Sequence, residues 1–279
     1  MSGKRRIRTL WRRTWMALAT AAGRPQGFFS PYRYAQKVRP TGYPELAPVF
    51  AAAEPEMGRL LDRIDALGDR LASFRGPAPE PRWDQSWFPR LDGAATYAVM
   101  ADHPPERIVE VGSGHSTRML ARAAADLGGA EITCLDPAPR AALAGLPVTW
   151  ERRVMDETDL GRFAALQPGD IAFFDSSHLL WPGSDVDLIL NRILPQLAVG
   201  VRVHLHDVFL PDAYPEAWAW RGYTEQTGLG GWLAGGGVRI LFSSHWAVTR
   251  MAAGERDGLC ALPLLEDARE TSLWLERVR

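Results

Sequence analysis

Four short polar clusters, each placed directly after an apolar run, hold the side chains from which a reaction could be built. Gly112-Ser-Gly-His-Ser116 follows residues 107–111, with Glu110 inside that run. Asp136 follows residues 131–135, Asp175-Ser-Ser-His178 follows 170–174, and His206-Asp207 follows 201–205. A histidine beside carboxylates can act as a general base, which singles out His178 and His206. Asp175 and Asp207, with His206 as a third donor, could hold Mg²⁺ or Mn²⁺, and a bound cation also acidifies a hydroxyl. Glycines at 112 and 114 let the backbone turn sharply and come close to a ligand.

These clusters matter only if the chain brings them to one edge, and the apolar runs show how. Residues 107–111, 131–135, 148–152, 170–174 and 201–205 read as short buried strands, and helical segments alternate with them. The helices are a capped one through Met119–Ala125, a short one near 140–143, a weak one over 160–166, and 186–197 with Ser184 as N-cap. Strands that alternate with helices imply a parallel, doubly wound sheet. In such sheets ligands bind beyond the carboxyl ends of the strands, where all four clusters fall. Two further strand candidates, 238–242 and 246–249, come after a long aromatic segment and would close the sheet.

The glycine turn is not a dinucleotide fingerprint, because Thr117 stands where G-x-G-x-x-G needs its third glycine, and no Gly-Lys-Ser/Thr of a P-loop follows. An acid at the tip of the second strand, Asp136, is placed to hydrogen-bond a ribose diol. Glu110-x-Gly112-x-Gly114 with Asp136 downstream resembles the class I S-adenosylmethionine-dependent methyltransferases. That resemblance implies a Rossmann-like, doubly wound α/β sheet of seven strands, mostly parallel with the last strand antiparallel, and here an N-terminal helical extension. It implies S-adenosylmethionine as cofactor, held by Glu110, Gly112, Ser113, Gly114, Ser116, Asp136 and Asp175. The pair Asp175-x-x-His178 and His206-Asp207 is similar to the branch that includes macrolide-sugar O-methyltransferases and cephalosporin-biosynthesis enzymes. In that branch His178 would be the base, and Asp175 and Asp207 metal or acceptor ligands. His206 stands where metal-dependent members often carry a carboxylate. The resemblance covers about residues 83–250.

Each residue also has a plain structural reading. His178 could simply cap the turn after its strand. His204 is read as alternating with His206, facing the other way and packed or hydrogen-bonded. His115 would contribute its backbone more than its ring, and His103 and His245 look structural. Asp92 and Tyr97, on a helix that ends before Pro104-Pro105, could line the cofactor pocket or pack elsewhere. The segment from Phe209 through Tyr214, Trp218, Trp220, Arg221, Tyr223, Glu225 and Gln226 suits the wall of a sugar or ring-bearing acceptor, or else a lid with aromatics in the core.

Charge is segregated. Residues 1–44 contain ten Lys or Arg and no acid, so the remainder holds 22 cations against 33 acids. An acidic body argues against nucleic acid as partner. Lys4, Arg5, Arg6, Arg8, Arg12 and Arg13, with Leu10, Trp11 and Trp15, suit a basic helix. Its uncharged run before Gly23 is too short to span a bilayer. Residues 1–22 could instead touch an anionic membrane peripherally, or dock on a partner. Two cysteines exclude a disulfide framework, Cys134 reads as a small core residue, and a cytoplasmic setting fits. The expected organisation is a basic arm over 1–44, a helix and linker over 45–82, the methyltransferase domain over 83–250 and a C-terminal segment over 251–279. The expected function is methyl transfer to a small hydroxylated acceptor, such as a sugar or secondary metabolite, in a chain that could form homo-oligomers. The alternatives are a nicotinamide-dependent oxidoreductase on the same sheet and a non-catalytic scaffold tethered by the basic segment.

Overall fold

The computed structural model describes residues 3–24, 26–28 and 32–279, and the side chains of Lys4, Arg5 and Arg6 lie outside that description, as does Pro25. Two compact units result, Met1–Pro40 and Thr41–Arg279. The first contains helix α1 (Gly3–Ala21) and a 3-10 turn at Ala35–Lys37. Among the described residues no helix is long and apolar enough to cross a membrane.

The second unit is built on one sheet. Its strands are β1 (Arg107–Val111), β2 (Glu131–Leu135), β3 (Thr149–Glu151), β4 (Ile171–Phe174), β5 (Arg202–Leu205), β6 (Val238–Ser243) and β7 (Leu273–Arg277). They lie in the order β3-β2-β1-β4-β5-β7-β6. β1 to β5 pair in parallel, and β7 runs antiparallel to both β5 and β6. Every residue of β4 and β5 is buried, as strands covered on both faces require. The order reverses between β1 and β4, so right-handed crossovers place helices on opposite faces and open a crevice at the strand tips there. This is the Rossmann-like α/β plan that the alternating pattern implies.

Helices α2 (Ala47–Ala52), α3 (Glu54–Ala66) and α4 (Gly68–Ala72) replace the single helix expected at the start of 45–82. The breaks coincide with Pro55 and Gly68, poor interior helix residues. Met57, Leu60, Leu61 and Ile64 are nevertheless buried on one face of α3, as their spacing predicts. α5 (Arg90–Asp102) packs between α3 and α6 (His115–Asp126), and carries Asp92 inside the protein. α7 (Leu160–Ala164) and α8 (Asp185–Leu188) follow, and Ser184 caps α8 by accepting from Asp187 N. The expected helix over 186–197 continues only as a wide π turn at Ile189–Ile193 and a 3-10 turn at Leu194–Gln196. No regular helix forms over 140–143.

One strand assignment is overturned. Residues 246–249 belong to helix α10 (Ser244–Arg250), which follows α9 (Glu225–Gly235) and β6, because the Ser243 hydroxyl accepts from Trp246 N at 3.2 Å and starts a helix. A four-residue mixed run fits either period, and only the cap decides. The antiparallel strand comes from Leu273–Arg277, beyond α11 (Asp257–Cys260), so the segment after 250 supplies part of the sheet.

Candidate active site

At the tip of β1 the backbone leaves the sheet at Gly112, with φ +81°, and a Cβ there would sit 1.8 Å from Asp175 O. Only glycine fits, and the contact joins the β1 loop to the β4 loop. Glu110 is fully buried beneath the turn. Its Oε1 accepts from Ser116 Oγ at 2.7 Å and its Oε2 from Thr117 Oγ1 at 2.6 Å. Thr117 Oγ1 accepts in turn from Gly114 N at 2.9 Å, so the carboxylate braces the whole loop. Burial pushes the Glu110 carboxyl up to about 7, against the pull of those hydroxyls. Asp136 at the tip of β2 accepts from Ser113 N and Ala138 N, both at 2.6 Å. A cavity of about 500 Å³ adjoins it, lined by residues 138–144 with Trp150 and Arg152. His115 is kept neutral, lowered to about 4 by burial and by Arg118 and Arg82. Among the described residues, Ser113 Oγ, His115 Nδ1 and Ser176 Oγ are buried without a hydrogen-bond partner; Ser113 and Ser176 sit on the loops after β1 and β4, and His115 is the first residue of α6. Unpartnered buried polar atoms clustered at one crevice fit a polar ligand that completes them.

The tips of β4 and β5 are built differently. His178 and Asp207 are two of the three described non-glycine residues with positive φ, at +60° and +57°. Such backbone costs on the order of 1 kcal/mol or more at each position and persists where its surroundings enforce it. The His178 ring is buried, with Nδ1 2.8 Å from Glu225 Oε2 and Nε2 3.2 Å from Asp175 Oδ1 and 3.6 Å from Asp207 Oδ2. Burial alone would lower the ring's pKa, but hydrogen bonds to Asp175 and Glu225 raise it well above 6.5. Asp175 is the counterpart: burial opposes its charge, yet His206 and His178 hold it well below the usual carboxylate range. His206 points Nε2 at Asp92 Oδ2, 3.1 Å away, and Nδ1 toward Asp175 Oδ1 at 3.5 Å and Asp207 Oδ1 at 3.6 Å. Arg221 Nη1 reaches Asp207 Oδ2 at 3.3 Å, while its guanidinium lies 3.8 Å from the centre of the Trp218 ring.

The structure therefore gathers Asp175, His178, His206 and Asp207 at one point and sets Gly112 against it. Donor atoms of Asp175, His178 and Asp207 lie within 4.8 Å of one another, a spacing that could hold a metal ion and that adds His178 to the carboxylates expected with His206. Asp92 belongs to the cluster as a buried brace. It accepts from Thr271 N and Ser272 N at 3.0 and 2.9 Å, tying α5 and the approach to β7 onto His206. Tyr97 does not line the pocket, since its hydroxyl donates to Asp126 Oδ2 at 2.9 Å, at the end of α6 remote from the glycine turn. His204 corrects a face assignment: residues two apart on a strand share a face, and its ring lies 6.0 Å from that of His206. It is packed all the same, stacked 3.7 Å from the Phe173 ring centre and bonded through Nε2 to Ser272 Oγ. His245 has an acidic partner, Asp212 Oδ2 at 2.6 Å. Gln226 is a staple inside the 208–236 segment, accepting from Phe209 N and donating to Asp212 O. Sequence reasoning missed the pairing of Glu225 with His178 across 47 positions, and no local signal marks it.

A family model described as a methyltransferase domain matches residues 109–208, from β1 to just past β5. Together with the sheet order, this match supports a class I S-adenosylmethionine-dependent methyltransferase over a nicotinamide-dependent oxidoreductase on the same sheet. Among solved structures, the chain is similar to a Klebsiella pneumoniae protein provisionally assigned as an O-methyltransferase, at 16% identity and TM-score 0.44, covering 79% of this chain and 90% of that one. A Thermobifida fusca protein provisionally assigned as a methyltransferase matches at 15% identity and TM-score 0.36, over 79% and 94% of the two chains. A Haemonchus contortus N-methyltransferase solved with phosphomonomethylethanolamine and S-adenosylhomocysteine matches at 15% identity and TM-score 0.35, over 66% and 52%. A search of curated proteins finds no match.

Proposed function

We propose that the enzyme methylates a hydroxyl of a small acceptor, a sugar or another hydroxylated metabolite, at the tips of β4 and β5. The observation that carries this reading is the buried His178 ring, oriented through Nδ1 by Glu225 and presenting Nε2 between Asp175 and Asp207. A hydroxyl must lose its proton as it attacks, and an imidazole fixed in this way can take it at Nε2. When bound, S-adenosylmethionine supplies a methyl already activated on a sulfonium. Asp136 would hold the ribose hydroxyls, the Gly112–Gly114 backbone would admit the methionine end, and Ser113 and Ser176 would gain partners. Glu110 has both oxygens engaged, so it shapes the loop, while Asp175 offers the nearer negative charge. The aromatic segment with Trp218, Arg221 and Tyr223 would wall the acceptor side.

A second reading adds a cation. Two carboxylates and one imidazole, whose Nδ1 is held by Glu225, would suit Mg²⁺ or Mn²⁺. Such a cation would supply Lewis acidity to the acceptor hydroxyl.

The test is calorimetric titration with S-adenosylhomocysteine, with and without Mg²⁺, followed by transfer assays on hydroxylated and amine acceptors. Asp136→Ala should weaken binding about thirtyfold, for roughly 2 kcal/mol of lost hydrogen bonding. Transfer confined to amine acceptors would overturn the O-directed reading, and transfer undiminished by a chelator would remove the cation.

A further inference from the structure

Helix α1 arranges its residues in two opposed faces. Ile7, Leu10, Trp11, Trp15 and Leu18 follow the spacing i, i+3, i+4, i+8 and i+11, which at 3.6 residues per turn keeps them within one stripe. All five are exposed, by between 54 and 74%. Arg8 and Arg12 flank the stripe on one side and Arg13 on the other, all three exposed. The uncharged positions inside the stripe are Thr14, Ala17 and Ala21. Five large apolar side chains in one exposed row form a patch that water disfavours, whereas single exposed ones are ordinary.

We propose that α1 lies flat on an anionic lipid surface, with the Ile7–Trp11–Trp15–Leu18 stripe in the acyl boundary and the arginines on the headgroup phosphates. Charge selects this occupant. The unit Met1–Pro40 contains ten Lys or Arg and no acid, whereas the 22 cations of the rest face 33 acids, so an anionic surface attracts only the first. Tryptophan is the side chain that favours the headgroup level, with an apolar body and one N–H donor. The hydrophobic stripe separates a lipid surface from nucleic acid, which would draw on the arginines and leave the tryptophans unused. A helix of this polarity lies in the interface and does not cross it.

The experiment is co-sedimentation of the full chain with vesicles of phosphatidylcholine alone or mixed with phosphatidylglycerol. Binding should require the anionic lipid and weaken with salt. The triple change Arg8→Gln, Arg12→Gln, Arg13→Gln should lower affinity about a hundredfold, and the matching lysine triple should retain it. Trp11→Ser with Trp15→Ser should abolish binding while the thermal unfolding midpoint stays unchanged. Failure of the wild-type chain to bind either vesicle would overturn the proposal. Equal binding to both vesicles would overturn its electrostatic half. Sedimentation-velocity dimers that vanish in the tryptophan variant, without vesicle binding, would assign the stripe to a second copy instead. Binding of duplex DNA without vesicle binding would likewise overturn it.

Discussion

The two halves of the crevice treat their carboxylates in opposite ways. At the tips of β1 and β2, Glu110 and Asp136 meet neutral donors: two hydroxyls in one case and two backbone N–H groups in the other. At the tips of β4 and β5, Asp175 and Asp207 meet groups that carry or can carry a proton: His178, His206 and Arg221. The first half is held by hydrogen bonds from hydroxyls and backbone N–H groups, with no charged partner on either carboxylate. The second half is a charge cluster with three carboxylates around the two rings, plus Glu225. On the proposed function, the first would be the binding end and the second the reacting end.

The largest test of that division is His178→Ala. If the proton is taken at the β4–β5 end, kcat should fall by about a thousandfold, within the range for loss of a general base. Affinity for S-adenosylhomocysteine, held at the other end, should stay within about threefold of wild type. A comparable loss of both would mean that the two ends are one site, and the contrast would fail.

Glu110→Gln probes the β1–β2 end through stability. The ordinary glutamate value is 4.5, and burial raises Glu110 to about 7 in the folded protein. The folded state therefore binds the proton more tightly than the unfolded chain, and stability contributed by this group is complete below pH 4.5 and lost as pH rises through 7. The glutamine variant does not titrate. Between pH 4 and pH 8 the stability difference should shift by about 3 kcal/mol in favour of the variant. Urea unfolding at the two pH values measures it directly. Parallel profiles would show that Glu110 titrates in the folded protein as it does in the unfolded chain, so that burial does not raise its pKa.

Legibility from sequence divides along the same line as the chemistry. The β1 turn could be read because its parts are local: Glu110, Gly112, Gly114 and Thr117 lie within eight positions, and strand, turn and helix follow directly. The strand tips could be read because a doubly wound sheet sends all its parallel strands to one edge. The last strand could not, since Leu273–Arg277 lies far beyond the residues expected to close the sheet, and 246–249 was claimed by a hydroxyl cap. The partners that tune the rings also escaped: Glu225 is 47 positions from His178, and Asp92 is 114 from His206. Such pairs are set by packing, and their sequence neighbourhoods carry no periodic or turn signal. The His204 face, by contrast, is legible, because the simple period of a strand puts residues 204 and 206 on one side and not on opposite sides.

Glu225→Gln gives the smallest effect and the most specific one. Burial raises the Glu225 carboxyl while His178 pulls it down, and the carboxylate in turn favours the proton on the ring. A ring that must be neutral to accept a proton works only above its own pKa, which lies well above 6.5 in this cluster. The wild-type kcat/KM should therefore climb with pH on the alkaline side of 6.5. Removing one of the flanking anions lowers the ring's pKa, since Asp175 and Asp207 remain but the charge at Nδ1 is gone. The ascending limb should move to lower pH by about one unit, with a lower plateau because a less basic ring is a weaker base. A role limited to packing would lower the plateau without moving the limb. A shift to higher pH would mean that the group titrating in the profile is a carboxylate and not His178, and it would transfer the proton-accepting role to Asp175 or Asp207.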